Sequence, residues 1–369
     1  MDYFFSTQQL TVGYNGKPLI KDIGIRLPKG RILTLIGPNG SGKSTILRSI
    51  TKHLKRIAGT VYIGGRSISD MTERDLACRV SVVLTERLRT ELMTCEDVVE
   101  AGRYPYTGTL GILSDADRTA VCEAMALVNV TDLKDRDFMQ ISDGQRQRVL
   151  LARAICQQPE IIVLDEPTSY LDIRYELELL DILRDMARRG IAVILSLHDL
   201  SLAQRVSDDV LCVKGEYISH YGNAREIFRR DLIHELYDLT DGSYNPLFGN
   251  VEMKRPTGTP RLFVIAGGGT GIEVYRTLQK KRIPFITGIL HENDVDYQVA
   301  YDLADEIISE KSFHTISDAA YARALEKLRA CDAVLNCLTE YGETNLRNRM
   351  LHAEAKAMGC KVIADAEGL

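Results

Sequence analysis

Blocks of apolar and polar residues alternate along the first two thirds of the chain in a pattern that predicts strands and helices in turn. Ile32–Ile36, Ile161–Leu164 and residues 191–195 are short, mainly apolar runs, which are typical of strands buried on both faces of a parallel sheet. Longer stretches with helical spacing separate these runs. The pattern over residues 1–240 therefore predicts an α/β domain.

The alternation stops between residues 241 and 260, where Pro and Gly cluster. We interpret residues 241–260 as a linker. A strand, a glycine-rich turn and a helix are predicted again from Leu262 onward, so residues 261–369 are expected to form a second, small α/β domain. Two domains also fit the length, because 369 residues exceed the usual size of a single core.

The composition is that of an ordinary globular protein, with 45% hydrophobic and 26% charged residues. The net charge of −5 argues against nucleic acid as the main partner. No apolar run is long enough to cross a membrane, and the first five residues lack the basic start of a signal peptide. The eight cysteines include no C-x-x-C pair and are interpreted as reduced thiols of a cytosolic protein.

A phosphate-binding loop is predicted directly after the strand Ile32–Ile36, because residues 37–44 fit G-x-x-x-x-G-K-[ST] at every position and Thr45 follows them. Its glycines allow backbone N–H groups to close around a phosphate. Lys43 is placed to reach the β- and γ-phosphate oxygens of ATP, and the Ser44 hydroxyl is placed to bind Mg²⁺. The helix that starts near Ser44 directs its positive end at the same anion. The predicted nucleotide-binding residues of this loop are Gly37, Pro38, Asn39, Gly40, Ser41, Gly42, Lys43, Ser44 and Thr45.

Two further strands lead to residues suited to hydrolysis. The strand Ile161–Leu164 is followed by Asp165, placed to bind Mg²⁺, and by Glu166, placed to polarise the attacking water. The strand at 191–195 leads to His198, and one helix plus one strand separates His198 from Glu166. A β-α-β crossover of that length returns the chain to the same sheet edge. His198 is therefore predicted to lie beside Glu166 and to sense the γ-phosphate.

A second anion site is predicted where a helix begins at residues 141–146. The Ser142 hydroxyl and the Gly144 N–H lie at the helix N-terminus, where the helix dipole favours negative charge. Ser142 or Asp143 is equally suited to cap an ordinary helix, and the two roles are compatible.

Together, these segments resemble the nucleotide-binding subunits of ABC transporters over residues 3 to about 235. The loop at 37–45 matches their Walker A motif, and residues 161–166 match their Walker B strand. Residues 141–145 match the signature motif and residues 169–172 the D-loop. His198 takes the position of the switch histidine.

This resemblance implies a P-loop NTPase core with added β-strands and a helical lobe at about 87–157. It also implies a head-to-tail homodimer, in which Ser142 and Gly144 of one chain close on ATP held by Lys43 of the other. Such a dimer is reasonable because the two anion sites lie in different lobes, and twofold symmetry completes both pockets. Further residues that the resemblance assigns to the nucleotide are Tyr14, which stacks on adenine, Gln145 and Asp172.

Two positions depart from the family pattern. Asp143 replaces the first signature glycine, so its carboxylate must point away, cap the helix or be screened. Thr85 replaces the Q-loop glutamine and is kept as a candidate Mg²⁺ contact, with a bridging water or the adjacent Glu86 as alternatives.

Residues 96–106 resemble the helical lobe of importers for iron-siderophores, haem and cobalamin. The resemblance implies an ATPase bound peripherally to the cytoplasmic face of the membrane. Its partners would be integral permease subunits, which receive the chelate from an extracellular binding protein. The alternative is a soluble ABC-type ATPase of DNA repair, iron–sulfur assembly or translation. The repair proteins of this alternative carry long coiled coils, and the translation proteins carry two tandem nucleotide domains. Neither feature is predicted here.

The second domain carries a Rossmann-type turn at 267–271, although Ile272 stands where G-x-G-x-x-G has its last glycine. One interpretation is a mononucleotide or another phosphate-bearing ligand. Polar segments at 288–296 and 341–346 are expected to converge with this turn at one sheet edge. The domain resembles an extension of some iron-complex and cobalamin importer ATPases. We consider a ligand sensor, a dimer-stabilising module and a separate enzyme as hypotheses for it.

Overall fold

The computed structural model describes residues 3–84, 92–108 and 111–367, and the chain divides into two units, Met1–Phe228 and Arg229–Leu369. The strands of the first unit are β1 Phe5–Tyr14, β2 Lys17–Ile23, β3 Arg26–Leu27, β4 Ile32–Ile36, β5 Ala58–Ile63, β6 Arg66–Ser67, β7 Val80–Val83, β8 Ile161–Leu164, β9 Ala192–Ser196, β10 Asp209–Lys214 and β11 Tyr217–Asn223. Its α-helices are α1 Lys43–Ile50, α2 Glu73–Arg79, α3 Cys95–Glu100, α4 Asp115–Leu127, α5 Asp143–Cys156, α6 Ile173–Arg188, α7 Leu200–Val206 and α8 Ala224–Ile227.

A six-stranded sheet in the order β11-β10-β4-β9-β8-β7 forms the centre of the first unit. Its neighbouring strands are parallel except for β10 and β11. β4, β8 and β9 are buried at every position, as their apolar runs predict. An antiparallel sheet in the order β2-β1-β5-β6, with β3 paired to β1, shares an apolar core with β4 and α1. The predicted α/β class with a P-loop core is confirmed.

Three helices, α3, α4 and α5, pack against one another within the predicted helical lobe. Each begins with a capping box, in which a Ser or Thr hydroxyl and the third residue of the helix exchange hydrogen bonds with the backbone. The buried ion pair between Arg103 and Asp117 (Nε–Oδ1 2.8 Å) joins the segment after α3 to α4. A buried ion pair therefore stabilises the lobe in addition to its apolar packing.

The second unit contains α9 Arg230–Tyr237, β12 Gly242–Asn245, β13 Asn250–Met253, β14 Leu262–Ile265, α10 Ile272–Lys280, β15 Phe285–His291, α11 Val295–Leu303, β16 Glu306–Glu310, α12 Asp318–Arg329, β17 Ala333–Asn336, α13 Leu346–Ala357 and β18 Lys361–Ile363. A parallel sheet in the order β16-β15-β14-β17-β18 lies at its centre. One apolar cluster joins the sheet to α10 and α11, and another joins it to α12 and α13. This is a doubly wound fold, as the Rossmann-like prediction expects.

The unit boundary differs from the predicted one. It lies at Phe228 instead of residue 240, and the predicted linker at 241–260 contains the hairpin of β12 and β13. The Asn245 amide donates to the Gln298 carbonyl at 3.1 Å, so the hairpin packs against α11 within the second unit. Of the Gly and Pro residues interpreted as a linker, Pro246 and Gly249 lie in the turn of this hairpin and Gly242 lies in β12. In the part of the chain that the structure describes, no helix is both long and apolar enough to span a bilayer.

Candidate functional site

The predicted phosphate-binding loop connects β4 to the start of α1, at the carboxyl end of a central strand. Two of its glycines are required by their surroundings. A Cβ on Gly37 would lie 2.2 Å from the Val213 carbonyl oxygen, and a Cβ on Gly42 would lie 2.6 Å from Ile20 Cδ1. Gly42 also has φ +98°, which side chains rarely adopt. Close packing therefore requires glycine at both of these positions in the loop.

Lys43 is buried at the base of this loop, with only 4% of its surface exposed. Its Nζ donates hydrogen bonds to the carbonyls of Gly37 (2.8 Å) and Pro38 (2.9 Å). Burial lowers the pKa of Lys43, and the nearby carboxylates Glu166 and Asp165 partly offset this shift. The amine is therefore positioned inside the loop and within the field of both carboxylates.

Ser44 and Asp165 form the pair of oxygen donors that the sequence predicts for Mg²⁺. The Ser44 hydroxyl donates to Asp165 Oδ1 at 3.1 Å, and Asp165 is fully buried. Within the described residues, no group of three or more His, Cys, Asp or Glu side chains could hold a metal ion. A hydroxyl and one carboxylate nevertheless fit Mg²⁺, which prefers oxygen ligands and usually binds through one or two carboxylates, waters and substrate phosphates.

Glu166 and His198 lie side by side, which confirms their predicted proximity. β8 and β9 are adjacent parallel strands with Leu164 opposite Leu195, so the chain leaves both strands at the same edge. His198 Nε2 lies 2.5 Å from Glu166 Oε1. Glu166 itself has φ +48°, a left-handed conformation that is unusual for a residue with a side chain.

Ser196, the last residue of β9, was missed by reasoning from the sequence. Its hydroxyl donates to Asp165 Oδ1 at 2.7 Å and accepts the Glu166 N–H at 2.9 Å. It therefore positions both carboxylate-bearing residues at once. The available signal was a hydroxyl at the end of an otherwise apolar strand, two residues before His198.

The remaining predicted residues have defined positions. The Tyr14 hydroxyl lies 3.2 Å from Thr45 Oγ1, and about half of the tyrosine is exposed (49%). Its ring therefore stands beside the phosphate-binding loop with free surface for a base. Asp172 caps α6 by accepting the Tyr175 N–H at 3.0 Å. Thr85, the candidate Q-loop contact, lies outside the described residues.

Ser142 caps α5, as one of its two predicted roles requires. Its hydroxyl accepts the Gln145 N–H, and the Gln145 side chain accepts the Ser142 N–H at 3.0 Å. A Cβ on Gly144 would meet the Tyr170 carbonyl oxygen at 3.2 Å, so the helix start packs closely against the D-loop segment. The predicted second anion site is thus a well-formed helix N-terminus.

Comparison with known proteins identifies the family. A family model described as ABC transporter matches residues 20–169, and one described as MJ0874 family matches residues 285–367. The chain is 40% identical over 286 residues to an uncharacterized ABC transporter ATP-binding protein, MJ0873, of Methanocaldococcus jannaschii, with 77% of this chain and 99% of that protein covered. The chain belongs to the ATP-binding proteins of ABC transporters.

Other members of this ABC family carry more specific names. The iron(3+)-hydroxamate import ATP-binding protein FhuC of Bacillus subtilis is 34% identical, covering 63% of this chain and 87% of that protein. The cobalamin import ATP-binding protein BtuD of Halobacterium salinarum is 30% identical, covering 85% and 81%. A solved structure of a metal-chelate type ABC transporter in an inward-facing conformation superposes with a TM-score of 0.57 at 26% identity, covering 64% of this chain and 90% of that one.

Proposed function

We propose that this ABC ATPase is the energising subunit of an importer that moves an iron-siderophore, cobalamin or haem type of chelate through a membrane permease. The Glu166–His198 pair, at the strand ends beside the phosphate-binding loop, is the observation that carries the ATPase part of this proposal. The names of the relatives favour import over a soluble role in repair, iron–sulfur assembly or translation, and among chelates they favour the iron-siderophore first.

ATP binding is assigned to the phosphate-binding loop. Lys43 exchanges its two backbone carbonyl partners for β- and γ-phosphate oxygens, and the loop N–H groups hold the same phosphates. Tyr14 stacks on the adenine. Mg²⁺ would be held by Ser44 and Asp165, with Thr85 as a further candidate, and would supply neutralisation of phosphate charge.

Hydrolysis is assigned to Glu166 and His198. The Glu166 carboxylate orients and polarises the attacking water, because it lies at the strand end that faces the loop. His198 holds that carboxylate through the 2.5 Å contact and senses the γ-phosphate. Ser196 acts as a positioning residue for both carboxylates.

Closure is assigned to a head-to-tail homodimer on the cytoplasmic face of the membrane. The signature residues Ser142, Gly144 and Gln145 of one copy cover ATP bound by the other, and Asp172 lies in the D-loop of the same interface. The closed pair binds ATP more tightly than the open pair does, so ATP binding closes the pair and hydrolysis lets it open. This cycle of closing and opening acts on the permease.

An uptake assay in cells lacking this chain tests the proposal. Cells complemented with the natural chain should take up labelled ferric hydroxamate, haem or cobalamin, and cells complemented with Glu166→Gln should not. Co-purification of the chain with a polytopic membrane protein is expected as well. Normal uptake of all three chelates without the chain, and no membrane partner, would instead support the soluble alternative.

A further inference from the structure

A cleft of about 340 Å³ opens at the carboxyl edge of the second unit's sheet. Its walls come from the loops after β14, β15 and β17, so the three polar segments of the sequence converge there as predicted. β14 has β15 on one side and β17 on the other. Doubly wound sheets bind small ligands at this type of strand-order reversal, and the volume lies in the usual range for such sites.

The glycine-rich turn at this cleft already has anionic partners from its own chain. Gly268 N–H donates to Asp294 Oδ2 at 2.8 Å. Gly269 and Gly271 donate to the two carboxylate oxygens of Asp296, at 3.1 and 3.0 Å. In a phosphate-binding turn such N–H groups bind the ligand's phosphate. Here the protein's own carboxylates take that place.

The charge of the cleft also disfavours a phosphate. Asp294 and Glu340 both line it, and no Lys or Arg does so among the described residues. His291, the remaining ionisable lining group, is tied through Nε2 to the His314 carbonyl at 2.8 Å. A phosphate would therefore face two carboxylates without a permanent cation to balance them.

The free polar groups of the cleft suit a ligand that donates hydrogen bonds. The side chains of Thr339, Glu340 and Thr344 line the cleft, and no side-chain hydrogen bond of these three residues is found within the described part of the chain. A carboxylate accepts hydrogen bonds only, and a hydroxyl can accept them. Groups with these properties match ligand hydroxyls or a protonated amine.

We infer that this cleft binds a small, phosphate-free ligand that is neutral or cationic and carries hydroxyl or amino groups, as a nucleoside or polyamine does. The phosphate-bearing interpretation of the turn is replaced by this one. Such a site makes the second unit a sensor of a small polar molecule.

Hydrogen–deuterium exchange of the full chain tests the inference with three probes. Adenosine and AMP share base and sugar and differ in the phosphate, whereas spermidine carries amines alone. Exchange is read in peptides covering 262–272 and 336–349, so binding to the first unit does not enter the measurement. Adenosine or spermidine should protect both peptides, and AMP should require at least tenfold more ligand. Equal or better protection by AMP, or no protection by any probe, would overturn the inference.

A pair of matched variants locates the contact. Glu340→Gln should weaken protection by the active probe by about tenfold, because hydrogen bonds to a charged acceptor are the stronger ones. Glu343→Gln removes the same charge three residues away, outside the lining of the cleft, and should leave protection unchanged. Equal effects of the two variants would mean that general charge, and not this cleft, determines binding.

Discussion

The Asp143 carboxylate lies 2.5 Å from the Arg146 guanidinium, one turn further along α5 (Oδ1–Nη1). Arg146 also donates to the Ile141 carbonyl at 3.2 Å, so its charge is held at the helix start. The pair explains how a carboxylate is accommodated where the family pattern has a glycine. Of the options considered from the sequence, the structure shows screening by a neighbouring cation.

Removing that cation should weaken ATP-dependent closure. Arg146→Gln leaves the Asp143 charge uncompensated at the proposed anion site, and we expect the KM for ATP to rise about two- to fivefold, since partly exposed pairs contribute about 1 kcal/mol or less. Steady-state ATPase kinetics at low salt measure this. The double variant Asp143→Gly with Arg146→Gln removes both charges and should restore the KM; no recovery would mean that Arg146 acts through its backbone contacts alone.

Glu166→Gln should separate binding from hydrolysis. The amide keeps the shape of the side chain but cannot polarise water, so ATP affinity should persist while turnover falls by about 10²–10⁴-fold. Equilibrium binding and single-turnover hydrolysis measure the two quantities. Lys43→Ala is the contrasting variant and should lose affinity. Near-normal turnover by Glu166→Gln would assign the water to another group.

Ser196→Ala tests the residue that the sequence did not reveal. Loss of its hydroxyl removes one donor to Asp165 and the acceptor of the Glu166 N–H. We expect about a tenfold lower kcat and a higher Mg²⁺ requirement, since a misplaced supporting group shifts both carboxylates. Ser207→Ala is the control, because this buried hydroxyl bonds to Thr34 and Ala203 instead. An equal change in Mg²⁺ requirement for both variants would contradict the positioning role.

The proximity of Glu166 and His198 could be predicted because two buried parallel strands, one crossover apart, fix where their ends meet. The role of Ser196 could not, since its partners depend on side-chain directions at the strand end. The hairpin at 242–253 was interpreted as a linker, because Gly and Pro cluster in linkers and also in the turns of hairpins. The carboxylates that fill the glycine-rich turn come from Asp294 and Asp296, more than twenty residues later, and only the folded chain brings them together.

The helical lobe should lose stability in acid through Asp117. Hydrogen bonds from Ser114, and then Arg103, lower the pKa of Asp117 to about 2 from its usual 3.8. Because the folded pKa lies below the unfolded value, this contribution is complete above about pH 4 and is lost as the pH falls toward 2. Asp117→Asn should therefore lower the urea midpoint of the first unit at pH 6, and the difference should shrink at pH 3. Asp115→Asn, exposed in the same helical turn, should show little change at either pH.

The glycine-rich turn of the second unit should bind an added anion once Asp296, which now accepts two of its N–H groups, is removed. Asp296→Ala removes a fully buried carboxylate and leaves the Gly269 and Gly271 N–H groups without their acceptor. Hydrogen bonds to charged groups contribute about 1.5–3 kcal/mol each, so the second unit should melt several degrees earlier. Inorganic phosphate should then raise the melting temperature of the variant more than that of the natural chain, because the vacated N–H groups can bind an added anion. Asp332→Ala, which breaks an exposed pair with Arg261, is the control and should respond to phosphate as the natural chain does. An equal response of all three proteins would show that the turn does not bind anions even when its carboxylate is gone.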